Sequence, residues 1–85
     1  MRTVTVYMQP ACQPCKATKR WLDKRGIQYR AVDVSQSPDD LAAIKYLGYL
    51  KAPVVIISNS DPETDIHWQD FNPFNLERYL GQAAA

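Results

Sequence analysis

The chain has 85 residues, which leaves room for one domain, 1–85, and no second. Ten basic against nine acidic residues give a formal net charge of +1, and 46% of the residues are hydrophobic, so disorder is excluded as the default and nothing in the charge calls for nucleic acid or an anionic membrane as partner. No stretch approaches the ~20 apolar residues of a membrane span, and the N-terminus reads as a strand with no signal-peptide core, so a cytoplasmic protein is expected.

Residues 3–8 (Thr-Val-Thr-Val-Tyr-Met) alternate β-branched and apolar side chains and predict a strand, broken by Gln9-Pro10-Ala11. A helix is expected from Pro14 to Arg25, with Gly26 placed to take the left-handed conformation after its last turn. Residues 27–34 predict a second strand. Ser37-Pro38-Asp39-Asp40 is a strong helix start: an N-cap, a proline at the first position and two acids at the positive dipole end. Its apolar face is Leu41, Ile44 and Leu47, and Gly48 closes it. Pro53 introduces Val54-Val55-Ile56-Ile57, a run suited to a strand buried on both faces. Asn59-Ser60-Asp61-Pro62 is turn chemistry, and residues 65–69 return as a short strand. Asn72-Pro73 repeats the cap-and-proline start, with Leu76, Tyr79 and Leu80 on a last helix that stops at Gly81 before a fraying Ala83–Ala85 tail. The first two strands must run parallel, because a helix crosses between them, and the last two form a hairpin. The order βαβ–α–ββ–α matches an α/β thioredoxin-like fold, a four-stranded mixed sheet flanked by three helices.

The two cysteines, Cys12 and Cys15, stand three positions apart at a strand–helix junction. Three readings compete. As a staple, a disulfide closing so short a loop removes roughly 2 kcal/mol of denatured-state entropy, against ~3 for a fifteen-residue loop. As a zinc site, the pair supplies two of four ligands, and His67 is the only histidine; a dimer-bridging metal is the one route to a closed set. As a redox pair, the placement is favourable. Cys12 lies just before the helix, where unpaired N–H groups and the dipole favour an anion. Cys15, one turn on, is the less exposed thiol. Cys12 is then the attacking thiolate and Cys15 the resolving thiol, the pair forming a redox-active disulfide with no bound cofactor and no metal.

Lowering a thiol from ~8.5 to ~7 raises its thiolate fraction near neutral pH about tenfold. Nucleophilicity falls by roughly fivefold over the same shift, so attack gains only about twofold and the larger effect is on electron poise. Pro14 removes one N–H that would point at the Cys12 sulfur, and the Cys15 N–H remains available. Lys16, Lys19, Arg20, Lys24 and Arg25 make this helix basic, with Asp23 the lone acid. Lys16 is close enough in sequence to help a thiolate; the others read as a solvated face.

With Cys12-Gln13-Pro14-Cys15 after a strand, Leu47-Gly48-Tyr49 and Ala52-Pro53-Val54-Val55 after the second helix, and Trp68-Gln69-Asp70-Phe71-Asn72-Pro73 before the last, the chain resembles the NrdH-type redoxins over nearly its whole length. These are glutaredoxin-like proteins with thioredoxin-like activity, reduced by thioredoxin reductase and donating electrons to class Ib ribonucleotide reductase. The resemblance implies a monomeric protein disulfide reductase with those two partners. It implies Cys12 and Cys15 as the redox pair, Pro53 as a cis-proline facing them, and Gln13, Pro14, Ala52, Pro53, Trp68 and Phe71 as the surface for substrate or partner, Trp68 and Phe71 bracing the nearby loop. Ala52 would pair its backbone with an extended client segment. Glutaredoxins proper carry Cys-Pro-Tyr-Cys and a Gly-Gly pair that holds the glutathione carboxylate; neither is present, which argues for reduction by a protein. Gln9, the Gln13-Pro14 spacer, Asp70 and Asn72 depart from the family pattern. Asp70 stands at a usual glycine, which tolerates the left-handed conformation better.

His67 reads as an exposed or hairpin-paired histidine in preference to a ligand or base. Trp21 reads as core or a partly covered face, and Tyr7, Tyr46, Tyr49 and Phe74 as packing, with Tyr7 near the redox loop. Asp33 is the nearest candidate proton acceptor for Cys15, although a strand-end aspartate more often meets water. Competing functions are a glutathione-dependent glutaredoxin or mycoredoxin-like reductase, a non-catalytic thioredoxin-fold adaptor, and an iron–sulfur or zinc carrier using one cysteine from each of two chains. A potential of ~−270 to −200 mV brackets thioredoxins and glutaredoxins.

Overall fold

A computed structural model describes residues 2–59 and 65–81. The elements are β1 (Thr3–Met8), α1 (Gln13–Lys24), β2 (Arg30–Asp33), a 3-10 turn (Val34–Gln36), α2 (Pro38–Tyr46), β3 (Val54–Ser58), β4 (Ile66–Gln69) and α3 (Pro73–Leu80). They form one mixed sheet in the order β2-β1-β3-β4. β1 pairs with β2 in parallel (Val6 opposite Ala31) and with β3 antiparallel (Val6 opposite Val55), and β4 continues antiparallel from β3 (Val55 opposite Trp68). The predicted architecture is therefore present.

Strand alternation divides the core between the two faces of the sheet. Val4, Val6, Val55, Ile57 and Trp68 point to the face covered by Leu22 of α1 and by Leu76 and Leu80 of α3. Val54, with Tyr7 and Ile56 against it, points to the opposite face, where Ile44 and Leu41 of α2 and Val34 pack. The run 54–57 is apolar throughout because β3 is central and covered on both sides: Val54 and Val55 are fully buried and Ile57 is 2% exposed. The two edge strands are only four residues long, and β2 carries the exposed Arg30, so neither offers a long flat edge for further pairing.

Several local expectations are corrected. β2 begins at Arg30 instead of Ile27, because the first residues after α1 are used in its exit: the N–H of Ile27 bonds back to the Leu22 carbonyl at 3.1 Å, with Gly26 at φ 65. Asp33 accepts the N–H of Ser35 at 2.9 Å and caps a 3-10 turn that the sequence did not announce. Ser37 precedes α2 as expected, yet its hydroxyl donates to the Asp40 carboxylate instead of accepting a backbone N–H. Leu47 lies past the end of α2 and is 42% exposed, so it is not part of the apolar face. Tyr46 and Phe74, expected in packing, are 92% and 71% exposed. Each sits two residues, ~200° of helix, from the inward position of its helix, Ile44 or Leu76. The expected turn at 59–62 falls largely outside the described residues, as does the tail at 83–85.

Leu22→Ala should destabilise the protein by about 2–5 kcal/mol, since its side chain is fully buried between sheet and helix, whereas Tyr46→Ser should change stability by less than ~0.5 kcal/mol. Urea unfolding of the oxidised proteins checks both.

Candidate active site

Cys12 is the N-cap of α1. Its backbone is extended (φ −108°, ψ 109°), and its Sγ accepts the backbone N–H of Cys15 at 3.1 Å. The turn that delivers it is made by Ala11 at φ 55°, a left-handed conformation that costs an alanine about 1–2 kcal/mol. Pro14 falls in the first turn, where its missing N–H leaves no helical bond unmade, so the Cys15 amide supplies the donor in its place. Cys12 is half-buried and Cys15 is 2% exposed, the asymmetry expected of an outer and an inner thiol. The two sulfurs are joined as a disulfide, with Cα atoms 5.2 Å apart. One turn further along α1 the buried Thr18 donates its hydroxyl to the Pro14 carbonyl at 2.9 Å, so this buried polar side chain is satisfied.

The loop before β3 faces this pair. Ala52–Pro53 is a cis peptide, and the Ala52 carbonyl oxygen lies 3.7 Å from Cys12 Sγ. When Cys12 is a protonated thiol this contact is an S–H···O bond; when it is a thiolate, the carbonyl oxygen opposes the charge that the Cys15 N–H favours. Pro53 is buried, and its carbonyl accepts the N–H of Asp70 at 2.7 Å. Asp70 adopts φ 71°, and its Oδ1 accepts the N–H of Phe71 at 2.9 Å, which offsets the strain of a non-glycine residue there. Asn72 then caps α3 by accepting the N–H of Asn75 at 3.0 Å.

Of the residues expected at the site, Cys12, Cys15, Ala52 and Pro53 converge. Gln13 lies exposed at the start of α1, beside the half-buried Pro14. Phe71 is half-buried against the core and lines a shallow groove with Ala17, Arg20, Trp21, Lys24 and Arg25. Trp68 offers little surface for contact: it is 7% exposed and stacked on Tyr79, with ring centroids 6.0 Å apart. Its indole N–H finds no acceptor among the described residues. Asp33 Oδ1 takes both the N–H and the hydroxyl of Ser35, at 2.9 and 2.6 Å, so this oxygen is engaged by the 3-10 turn that follows β2. Arg25 stacks over the half-buried Trp21 ring at 3.8 Å, which engages one of the α1 cations.

His67 is exposed on β4 and pairs through Nδ1 with the Tyr49 hydroxyl at 2.6 Å; burial pushes the Tyr49 phenol above its usual value. Burial, and then the Asp40 carboxylate, raise Tyr7 as well, with Arg30 opposing, so Tyr7 is a neutral group at physiological pH. Among the described residues no cluster of three His, Cys, Asp or Glu side chains is arranged to hold a metal ion. No helix among them is long and apolar enough to cross a membrane. One feature of the site carried no sequence signal: Gln69 Oε1 accepts the N–H groups of both Leu50 and Lys51, at 3.2 Å each.

A Cys-x-x-Cys disulfide at a helix start, opposite a proline loop on this mixed sheet, defines a thiol–disulfide oxidoreductase of thioredoxin-like fold. The family model for glutaredoxin matches residues 4–61. The glutaredoxin-like protein NrdH of Escherichia coli K12 is 31% identical over 75 residues, covering 88% of this chain and 85% of that one. A prophage-derived thioredoxin-like protein, YosR, of Bacillus subtilis is 33% identical over 72 residues, covering 85% and 86%. The solved structure of NrdH-redoxin from E. coli superposes with a TM-score of 0.79 at 28% identity, covering 91% and 93% of the two chains. The chain belongs to the glutaredoxin family and, within it, to the NrdH-type redoxins.

The Asp70 turn gives a direct test. Asp70→Ala should cost about 1 kcal/mol, because the Phe71 N–H loses its acceptor while the left-handed backbone remains. Asp70→Gly should recover most of that loss by removing the strain. Thermal unfolding of the two variants beside the parent checks the order.

Proposed function

We propose that this protein is a cytosolic, monomeric dithiol electron carrier that reduces protein disulfides, is itself reduced by thioredoxin reductase, and serves a class Ib ribonucleotide reductase. The observation that carries the chemistry is the half-buried Cys12, whose sulfur accepts the Cys15 N–H at 3.1 Å, paired with the buried Cys15. The donor stabilises the anion, and exposure lets it reach a client.

In the forward reaction the Cys12 thiolate attacks one sulfur of the client disulfide. A mixed disulfide forms and the other client sulfur leaves as thiolate. Cys15, on losing its proton, attacks Cys12 Sγ and expels the second client sulfur. Two electrons and two protons have then passed to the client, and Cys12 and Cys15 are left as the disulfide. Ala52 and Pro53 would lie along the client segment, with Gln13, Pro14 and Phe71 at its margins and Trp68 bracing from beneath.

The choice of a protein reductant rests on the segment before α3. The Phe71 N–H, a donor that an anionic ligand needs, is already held by the Asp70 carboxylate at 2.9 Å, and that carboxylate adds a negative charge which opposes an anionic thiol. The thioredoxin-like activity profile of the NrdH-redoxin relative points the same way.

Insulin reduction should proceed with NADPH and thioredoxin reductase, and run at least about tenfold slower with glutathione and glutathione reductase. The reverse order would move the chain to the glutathione-dependent class. Cys12→Ser should abolish turnover, and Cys15→Ser should accumulate a client mixed disulfide visible on a non-reducing gel. A Cys12→Ser protein that still fulfils its cellular role would favour the adaptor reading.

A further inference from the structure

The loop that carries Ala52 is tied down from one side, by β4. Ahead of Ala52, Gln69 Oε1 takes the N–H groups of Leu50 and Lys51, both at 3.2 Å, and His67 Nδ1 pairs with the Tyr49 hydroxyl at 2.6 Å. Behind it, the N–H of Asp70 bonds to the Pro53 carbonyl at 2.7 Å. Ala52 is thus bracketed, and its own carbonyl oxygen rests 3.7 Å from Cys12 Sγ. The register explains how β4 reaches the loop. Gln69 stands opposite Val54 and His67 opposite Ile56, so both side chains lie on the α2 face of the sheet, the face over which the chain returns from α2 into β3.

The ties are not equivalent. The bond from Asp70 to Pro53 is main chain to main chain and survives any side-chain change. The Tyr49–His67 pair is exposed and lies three residues from Ala52. Among the described residues, the Gln69 contact is the one side-chain tie to the residues immediately before Ala52. Two successive amides converge on a single oxygen there, and among the described residues no backbone carbonyl accepts either of them. Two N–H donors aimed at one amide group also fix which end of the side chain is oxygen.

We propose that Gln69 is a positioning residue of the redox centre: by clamping the Leu50 and Lys51 amides it holds the Ala52 carbonyl against Cys12 and biases that sulfur toward thiol over thiolate. A carbonyl oxygen at this place accepts from a thiol and repels a thiolate, so it offsets part of what the Cys15 N–H contributes. Releasing the loop leaves the N–H unopposed. The thiolate, and with it the reduced dithiol, then becomes more favourable, and the protein becomes the stronger oxidant.

The test uses Gln69→Leu, with Gln69→Ala as a second variant should leucine disturb the edge strand, and Gln69→Glu as the conservative replacement. Glutamate keeps an oxygen that can accept both amides. The half-point of Cys12 alkylation against pH should fall by about half a unit in the leucine and alanine variants, the scale of one neutral hydrogen bond. The dithiol-to-disulfide ratio in a glutathione redox buffer, held at a pH above the Cys12 half-point, should rise by about threefold in the same variants. The Leu50 and Lys51 amides, read by hydrogen exchange, should lose protection in both. The glutamate variant should retain protected amides and show no fall in the half-point. The charged neighbours Lys16, Lys51 and Asp70, Asp33 opposite Met8, and Asp40 and Arg30 around Tyr7, are the same in every variant and cancel in the comparison. The proposal is overturned if the amides exchange freely while the half-point stays put, if the amides stay protected without the Gln69 oxygen, or if glutamate behaves as leucine does. It rests on the dithiol reading, which the parent tests separately: a parent whose Cys12 and Cys15 form no disulfide under mild oxidation and which reduces no insulin would remove that reading whatever the Gln69 variants do.

Discussion

The backbone N–H of Cys15 aimed at Cys12 Sγ is the contact on which the rest of the molecule depends. One peptide dipole at 3.1 Å, reinforced by the start of α1, makes a sulfur anion affordable at the surface of a chain with a net charge of only +1. The contact needs Cys12 extended and the next residues helical, and that junction is made by the left-handed turn at Ala11. Pro14 removes one candidate donor, so the Cys15 amide carries more of the stabilisation. The strain at Ala11 is sustained because β1 is a central strand, bonded on both sides, and α1 is anchored through the fully buried Leu22.

Against that donor stands an acceptor. The Ala52 carbonyl approaches the same sulfur from the opposite loop, so the poise of the centre is a difference between two backbone groups delivered by different parts of the sheet. Neither group is a titratable side chain. Poise therefore depends on where backbone is held, and the holding falls to β4. Its inward residue Trp68 packs in the core under Tyr79, while its outward residues His67 and Gln69 reach across to the incoming loop. The two sides of one short edge strand thus do different work, one for stability and one for the geometry of the centre.

The segment between β4 and α3 differs chemically from an open anion-binding turn. Asp70 takes the left-handed conformation that a glycine takes more cheaply, and it uses its carboxylate to satisfy the next N–H. The backbone path is retained, the donor is occupied from within, and a negative charge is added close to the Pro53 carbonyl. A chain 31% identical to the NrdH protein of Escherichia coli K12 keeps the fold of the NrdH-redoxin structure, with a TM-score of 0.79.

Element order, the parallel pairing of the first two strands, the doubly buried β3, and the pair Cys12 and Cys15 with its outer and inner members were all legible in the sequence. Each is dictated locally, by alternation, by caps and prolines at helix starts, or by three-residue spacing on one helical turn. The cis Ala52–Pro53 peptide was legible only through the family resemblance, which also singled out Trp68 and Phe71. Spacing alone would have passed over them. The exposure of Tyr46 and Phe74, the engagement of Asp33 by its own 3-10 turn and the clamp at Gln69 were decided by tertiary structure. A polar side chain chooses its partner by what folding brings within about 3 Å, and Gln69 and Leu50 meet only because β4 returns beside the loop that enters β3.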